Sequence, residues 1–447
     1  VSEIIYFGEF MDVKILKSKD GITIINEYIK DIKGISMRLS FMAGGFNDPI
    51  GKAGLAHFCE HALLGFSTSR YARDEKSRKI REFQYINGST NGYTVDLWIE
   101  ETKDKFEKAL DLITEAFTGI QFTPENYNSE YKIINDEIKT RTKTNSGLLT
   151  YISNKQLAKN KEIRNKEFSF AGSVESLDKI KLKDLEEFIN TYFTKKNLII
   201  SVVGNIKPSE TKHLVEKYVS PRLKEGEKLG FSRLDNLGDR APTYIHESSF
   251  EKGKALISID YAIEKLPREK YFDRRTSALN AVINSMLYDV MFMFFRQNKE
   301  LCYSCSSNFY QYIDTTMLST IIFCQEENLQ KVIDAYPEFI QNLSSSFTKE
   351  LFKKKKEKLL SGINFDLEPI ERKVSSNLRS YNNFGDIKGK EEYDFYHKFY
   401  ATFTYEEVLE RLNKLKGVKP TIIIISDDKQ YDDFNYKDYC KKVVVKK

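Results

Sequence analysis

His57, Glu60 and His61 are three side chains within five residues whose types and spacing can do chemistry together. Imidazoles at i and i+4 on a helix stand one turn apart, about 40° around its axis. From there both can offer a lone pair to one tetrahedral metal ion, and zinc is the usual occupant of such a pair. Glu60 projects on the far side of His57, near enough to reach a water beside that ion without ligating it. The chain has only five histidines, so the order H-x-x-E-H is rare by chance. The plainer alternative is a helix with two surface histidines and a solvated glutamate. A catalytic ion held this way needs at least one more protein ligand and an open position for water. Glu137 is the candidate, on a second helix that could pack against the first; Asp136, Glu130 and Glu101 are the alternatives, each of which could be a solvated acid.

The elements that must position these groups follow from patterning. Leu55, Phe58, Cys59, Ala62 and Leu63 recur at offsets of three and four, which gives residues 54–64 an apolar helical face beside the histidines. Upstream, residues 9–16, 22–28 and 34–42 read as strands, with Lys19-Asp20-Gly21 as a turn. The charged stretch 67–86 reads as helix, and residues 88–93 lead into a strand over 94–99. Residues 103–120 carry helical periodicity through Phe106, Ala109, Leu110, Ile113 and Phe117. Pro124 opens a helix expected over 125–141, on which Glu130 and Glu137 share a face. Residues 177–192 read as an amphipathic helix, 197–204 as a buried strand and 213–218 as helix.

The second half repeats the first. Residues 255–262 match the strand at 36–44, an apolar-striped helix over 277–297 takes the place of the histidine helix, 316–323 and 329–343 echo 94–99 and 103–120, and 420–426 echoes 197–204. Duplication on this scale predicts an α+β fold: two similar domains in tandem, each a mixed or antiparallel sheet covered by helices. The expected boundaries are a metal-bearing domain at 1–222, a linker at 223–242 where Lys, Glu, Gly, Asp and Asn replace the apolar pattern, and a second domain at 243–447. Aligned on Leu55 and Leu279, the second copy has Ala281, Asn284 and Ser285 in place of His57, Glu60 and His61. Aligned on Glu125 and Glu350, it has Lys355 and Gly362 in place of Glu130 and Glu137. One copy holds the whole set and the other none, as a metal site confined to one copy requires.

Composition narrows the remaining classes. A length of 447 residues exceeds one ordinary core. Basic and acidic side chains number 70 and 65, a near-balanced surface that does not argue for nucleic acid. No apolar run approaches the ~18 residues of a membrane span, and Val1-Ser2-Glu3 has neither the basic nor the apolar region of a signal peptide, although the missing initiator Met leaves processing open. Five sparse cysteines suggest a reducing, cytoplasmic setting. Cys302 and Cys305 have C-x-x-C spacing, but without a second pair they read as buried structural thiols. His213, His246 and His397 lie apart from any ligand spacing and read as surface or capping residues, and the lysine run 353–356 reads as a solvated helix face.

With these residues in view, the sequence resembles the pitrilysin/insulysin family of zinc peptidases, which includes the mitochondrial processing peptidases. The resemblance rests on Gly51-Lys52-Ala53-Gly54-Leu55-Ala56, the inverzincin motif His57–His61, Glu130 with Glu137, and the segment 171–177 leading to 197–205. It implies one zinc ion per chain held by His57, His61 and Glu137, with Glu60 as general base and Glu130 orienting a histidine. Arg296 and Tyr303 have the family's Arg-x6-Tyr spacing, which implies that they bind the substrate backbone and the developing oxyanion; an Arg at a helix end beside Glu300 and a Tyr in a sheet is the plainer account. Asn91-Gly92-Tyr93-Thr94 resembles the substrate-facing edge strand, against the alternative of an ordinary Asn-Gly turn. The implied protein is a half-size zinc endopeptidase for small flexible peptides, without nucleic-acid or membrane partners, in which a second subunit completes the site. A homodimer suffices, since this chain carries both the metal set and the Arg/Tyr pair. The rival reading is a non-catalytic scaffold or one subunit of a heterodimeric processing-peptidase-like complex.

Overall fold

Alternating and continuous apolar runs in the first half pair into one sheet. Its strands are β1 (Val13–Lys17), β2 (Thr23–Tyr28), β3 (Gly34–Phe41), β4 (Tyr85–Thr90), β5 (Val95–Thr102) and β6 (Leu198–Gly204), in spatial order β1-β2-β6-β3-β5-β4. Only β2 and β6 run parallel; the other neighbours are antiparallel. The computed structural model describes residues 13–155, 171–228, 242–265, 273–311, 315–362, 369–385, 387 and 390–443. One face of the sheet is covered by α1 (Leu55–Gly65), α3 (Lys103–Gly119) and the helix Leu182–Tyr192, while α2 (Arg73–Ile80) and α4 (Pro124–Thr142) precede and follow α3 in the chain. Phe41, Leu97, Ile99 and Ile200 meet Phe58, Phe106, Ile113 and Leu185 in a core with almost no exposure.

The other face of this sheet is covered too, which explains why β6 carries apolar residues on both faces rather than alternating with polar ones. The covering element is the helix Ile370–Phe384, whose Leu378 packs against Ile25. The same helix buries an ion pair, Lys373 Nζ to Glu27 Oε1 at 3.0 Å, and Asn377 donates to the second Glu27 oxygen at 2.9 Å. With both carboxylate oxygens engaged, the buried charge is matched rather than stranded.

The second half builds a five-stranded sheet from β7 (Tyr244–Glu247), β8 (Lys254–Lys265), β9 (Ser304–Gln311), β10 (Thr315–Gln325) and β11 (Thr421–Ile425), in order β7-β11-β8-β10-β9. Here β7 and β11 are the parallel pair. Strand for strand this is β2-β6-β3-β5-β4 again, so the duplication expected from the sequence is present in the topology. The long helix Arg274–Met291 occupies the place of α1 and continues as a wide turn over Phe292–Asn298. Helix Asn145–Lys155 covers the far face through Leu149 and Ile152 against Leu256, Ile423 and Ile425.

Two compact units result, and neither is contiguous. One gathers Val1–Lys139, Asn165–Arg233 and Phe365–Glu392; the other gathers Thr140–Arg164, Leu234–Asn364 and Tyr393–Lys447. Each therefore takes a segment from across the expected 223–242 linker, most of which lies outside the described residues.

Several local expectations are corrected. Residues 67–86 are not one helix: α2 stops at Ile80 and β4 starts at Tyr85. The strand was hidden because, as a half-exposed edge, it has no apolar alternation. The expected helix 177–192 is a turn at Val174–Leu177 followed by Leu182–Tyr192, and 213–218 spans the end of Pro208–Leu214 and a wide turn. Residues Arg274–Asn298 are, contrary to expectation, long and apolar enough by composition to cross a membrane; in the structure Val282, Ile283, Met286, Leu287 and Phe295 are buried in the core of the second unit. Lys355 leaves its solvated run to pair with Asp289 at 2.7 Å. His246 is not a simple surface residue either, since its ring bonds Asp432 at 2.6 Å and the Ser426 carbonyl at 3.0 Å.

Candidate metal centre

Helix α1 starts just after Gly54, whose φ of 92° lies in the left-handed region and where an added Cβ would come 2.7 Å from the Ala171 carbonyl oxygen. Asp48 caps the start: its carboxylate accepts from the Gly54 N–H at 2.7 Å and the Ala56 N–H at 2.8 Å. The other end is capped by Lys76, a fully buried lysine whose Nζ donates to the carbonyls of Leu63 at 2.7 Å and Phe66 at 3.2 Å. Burial holds that ammonium down, to a pKa of about 8, although a cation suits a helix C-terminus. Between these anchors the apolar face of α1 sinks into the core, and His57 and Glu60 are each only 6% exposed.

Helix α4 supplies the third group. One donor atom each from His57, His61 and Glu137 lies within 4.8 Å of the others. The Glu137 carboxylate bridges the rings, Oε2 to His57 Nε2 at 3.7 Å and Oε1 to His61 Nε2 at 3.7 Å. The imidazoles stand nearly perpendicular, at 82°. Among the described residues this is the one such cluster. Asp136, Glu130 and Glu101 separate from it: Asp136 is exposed, and Glu101 accepts from the Gln84 and Thr102 backbones.

Glu130 sits behind the cluster. Its Oε2 lies 3.1 Å from His61 Nδ1, and its Oε1 accepts from Arg73 Nη2 at 3.0 Å. That contact puts the His61 proton on Nδ1 and leaves the Nε2 lone pair facing Glu137. Burial opposes ionisation of Glu130, yet the hydrogen bonds from His61 and Arg73 prevail and hold its carboxyl below the usual range. Burial likewise disfavours a charged His61, but the Glu130 hydrogen bond with the Glu137 and Glu130 charges raises its pKa overall. Gly65 makes the approach possible, because a Cβ there would collide with the Glu130 carboxylate.

Glu60 faces the edge of the sheet. Thr90 Oγ1, on β4, donates to Glu60 Oε2 at 2.6 Å. A Cβ on Gly88 of the same strand would come 2.6 Å from Glu60 Oε1, so that glycine leaves room for the carboxylate. Burial pushes the Glu60 carboxyl up, the Thr90 hydrogen bond and His61 pull it down, and the Glu137 and Asp96 charges add to the rise. In the second half, Asn284 at the equivalent position also reaches its edge strand, donating to the Phe309 carbonyl at 2.9 Å. There the contact is purely structural.

Asn91, Gly92 and Tyr93 are not in the edge strand. They form the turn after it, where Asn91 Oδ1 accepts from Tyr93 N–H at 2.8 Å and Thr94 N–H at 3.0 Å, and Tyr93 packs on Phe46. The edge itself is β4, residues 85–90. Thr90, Gly88, Arg73 and Gly65 escaped the sequence reading, since each acts through a distant partner, and Asp48 escaped it because it caps α1 from six residues upstream of Gly54; a Gly-Ser-Thr run inside a strand was the only local sign. Arg296 and Tyr303 belong to the other unit. Arg296 lies in the wide turn with its guanidinium over the Phe292 ring, and Tyr303 is 41% exposed beside Phe323.

Two imidazoles and one carboxylate are a donor set that zinc accepts, with a coordination position left over. A sequence profile described as insulinase, peptidase family M16, matches residues 24–165, and one described as the peptidase M16 inactive domain matches residues 179–359. The chain belongs to the M16 peptidase family. Both helices of the cluster lie inside the first match, and the M16 "inactive" description falls on the half where Ala281, Asn284, Ser285 and Lys355 replace the set. Among M16 relatives, the uncharacterized zinc protease YmxG of Bacillus subtilis is 21% identical over 388 residues, covering 85% of this chain and 90% of its own. A protease from Helicobacter pylori shares the fold with a TM-score of 0.76 at 18% identity, over 93% of this chain and 100% of that one. A Pseudomonas fluorescens structure described as a peptidase M16 inactive domain superposes with a TM-score of 0.77 at 16% identity, over 94% and 99% of the two chains.

Proposed function

We propose that this M16 chain is a zinc-dependent endopeptidase that hydrolyses small flexible peptides, with Glu60 as the general base. The observation that supports it is the meeting of His57, His61 and Glu137 donor atoms within 4.8 Å beside a buried, hydrogen-bonded Glu60. His57 Nε2, His61 Nε2 and Glu137 would hold one zinc ion, with Glu130 fixing the His61 ring. Zinc, when bound, supplies Lewis-acid polarisation of the peptide carbonyl and lowers the pKa of water.

The remaining chemistry falls to the chain. Thr90 occupies Glu60 Oε2, which leaves Oε1 to accept a proton from water. A carboxyl whose pKa burial has raised holds that proton well enough to pass it to the leaving amine. Among the described residues strand β4 pairs only with β5, so its other edge can add a peptide strand by main-chain hydrogen bonds, with little demand on sequence. Arg296 and Tyr303 would come from a second copy, Arg296 holding the scissile segment and Tyr303 sharing the oxyanion charge. We take a homodimer in a reducing, cytoplasmic compartment as the working assembly, acting in general peptide degradation or in leader-peptide removal and maturation.

The test is metal analysis of the purified chain with cleavage of an unstructured peptide. Zinc at one per chain, chelator-sensitive cleavage and a loss of about 10²-fold or more in kcat for Glu60→Gln are expected. Zinc bound without cleavage, alone or mixed with a related subunit, would instead favour the scaffold reading.

A further inference from the structure

The unit that carries the metal cluster also contains a cavity of about 690 Å³, and none of the cluster residues lines it. Its walls come from distant parts of the chain: the turn between β1 and β2, the start of β6, Glu227 with Lys228, and the C-terminal end of helix Ile370–Phe384. Two glycines stand at turns in these walls, Gly21 with φ of 82° and Gly385 with φ of 72°. A Cβ on either would meet no atom within 4 Å, so both turns border open space. The size falls among sites that take small organic ligands, roughly 300–1,000 Å³. The proposed hydrolysis makes no use of this space.

Four ammonium groups line it, Lys17, Lys195, Lys196 and Lys228, against the single carboxylate of Glu227. Lys17 Nζ donates to a neutral group, Thr23 Oγ1, at 2.6 Å. Lys195 reaches Asp20 at 2.7 Å and Lys196 reaches Glu225 at 3.4 Å, with those acids 39% and 58% exposed. Exposed pairs of that kind are weak, so they leave the cations available to a more highly charged anion. The same walls hold apolar surface, from the buried Leu198 and the half-buried Met42 and Ile199. Asn382 adds a third feature. Its Oδ1 is enclosed with no hydrogen-bond partner among the described residues, a state that costs free energy until a donor arrives. The terminal torsion of an Asn side chain is soft, and a turn about it can bring that oxygen to the cavity.

We propose that this cavity binds a small organic phosphate that carries N–H or O–H donors, the chemistry shared by nucleotides and sugar phosphates. The lysines hold the phosphate, the apolar wall takes the organic body, and Asn382 accepts from its donor. A phosphate monoester brings a charge of about −2 and three acceptor oxygens, which can engage several ammoniums at once where one carboxylate cannot. A ligand seated there touches the sheet and helix Ile370–Phe384 together. It therefore binds the folded unit and not the unfolded chain, and raises the unfolding temperature.

The experiment titrates the full zinc-loaded chain with ADP, glucose-6-phosphate and inorganic pyrophosphate by calorimetry, with thermal unfolding in parallel. One molecule of ADP or of glucose-6-phosphate should bind per chain and raise the unfolding temperature, and the tighter of the two identifies the source. Affinity should fall about tenfold or more in Lys17→Gln with Lys195→Gln, and return in Lys17→Arg with Lys195→Arg. It should fall several-fold in Asn382→Leu. The unfolding temperature of each variant without ligand shows that it is folded. Lys196→Gln with Lys228→Gln, both exposed, gives the same reading should the first pair fail to fold. Pyrophosphate bound as tightly as both organic probes overturns the organic class. No binding by either organic probe, binding untouched by the lysine variants, or binding lost in His57→Ala and so owed to the metal, overturns the site. An unchanged affinity in Asn382→Leu overturns the part given to that amide.

Discussion

Glu60 is held by opposing influences: burial lifts its carboxyl while the 2.6 Å hydrogen bond from Thr90 lowers it. Replacing Thr90 with Val keeps the shape of the strand and removes only the donor. The carboxylate form then loses support, so its pKa rises further. Because the base must be ionised to take a proton, the acid limb of kcat/KM should move to higher pH in Thr90→Val, read from a pH–rate profile with a peptide substrate; an unmoved limb would show that the Thr90 contact does not tune the base. At this scale the sequence was legible where chemistry follows from spacing along one helix, as for His57, Glu60 and His61. Thr90, Gly88 and Arg73 were not legible, since their partners lie across the fold and nothing in their own neighbourhood marks them.

Helix α1 carries the metal pair only because both of its ends are fixed, by Asp48 at the start and Lys76 at the finish. Lys76 has a folded pKa of about 8 against an ordinary value of 10.5. Between those values the unfolded chain binds more protons, so this group adds stability as pH rises from 8 to 10.5, and its desolvation cost is fully present below 8. In Lys76→Met that contribution vanishes. The stability difference between wild type and Lys76→Met should therefore move in favour of wild type by about 3 kcal/mol across the window, measured as urea midpoints at both ends. A difference independent of pH would mean that Lys76 is solvated in the folded chain. The helices with strong apolar periodicity, such as α3, were readable as elements; β4 was not, because an edge strand facing solvent carries neither alternation nor an apolar run.

On the scale of the whole molecule, each sheet is completed by a helix from the far half of the chain. Helix Ile370–Phe384 contributes Lys373 to the buried pair with Glu27, both under 5% exposed. Lys373→Met strands the carboxylate and should cost ~3–5 kcal/mol in urea unfolding, whereas Glu27→Leu with Lys373→Met should recover much of that loss. Assembly is tested by mixing inactive chains. If Tyr303 serves the zinc of a second copy, co-refolded Glu60→Gln and Tyr303→Phe chains should regain about a quarter of wild-type turnover, because half of the dimers are mixed and each holds one intact site. Sites completed within one chain would regain nothing.

The metal motif, the duplicated topology and the asymmetry between the two copies were all decided along the chain, because helix spacing, strand periodicity and internal repetition are local properties of residue order. Which of four acids meets the two histidines, which strand flanks the general base and which helix closes each sheet were decided only by the fold. Those depend on contacts between residues far apart in sequence, Glu60 with Thr90, His61 with Glu130, Glu27 with Lys373, whose energies exist only once the intervening chain has packed.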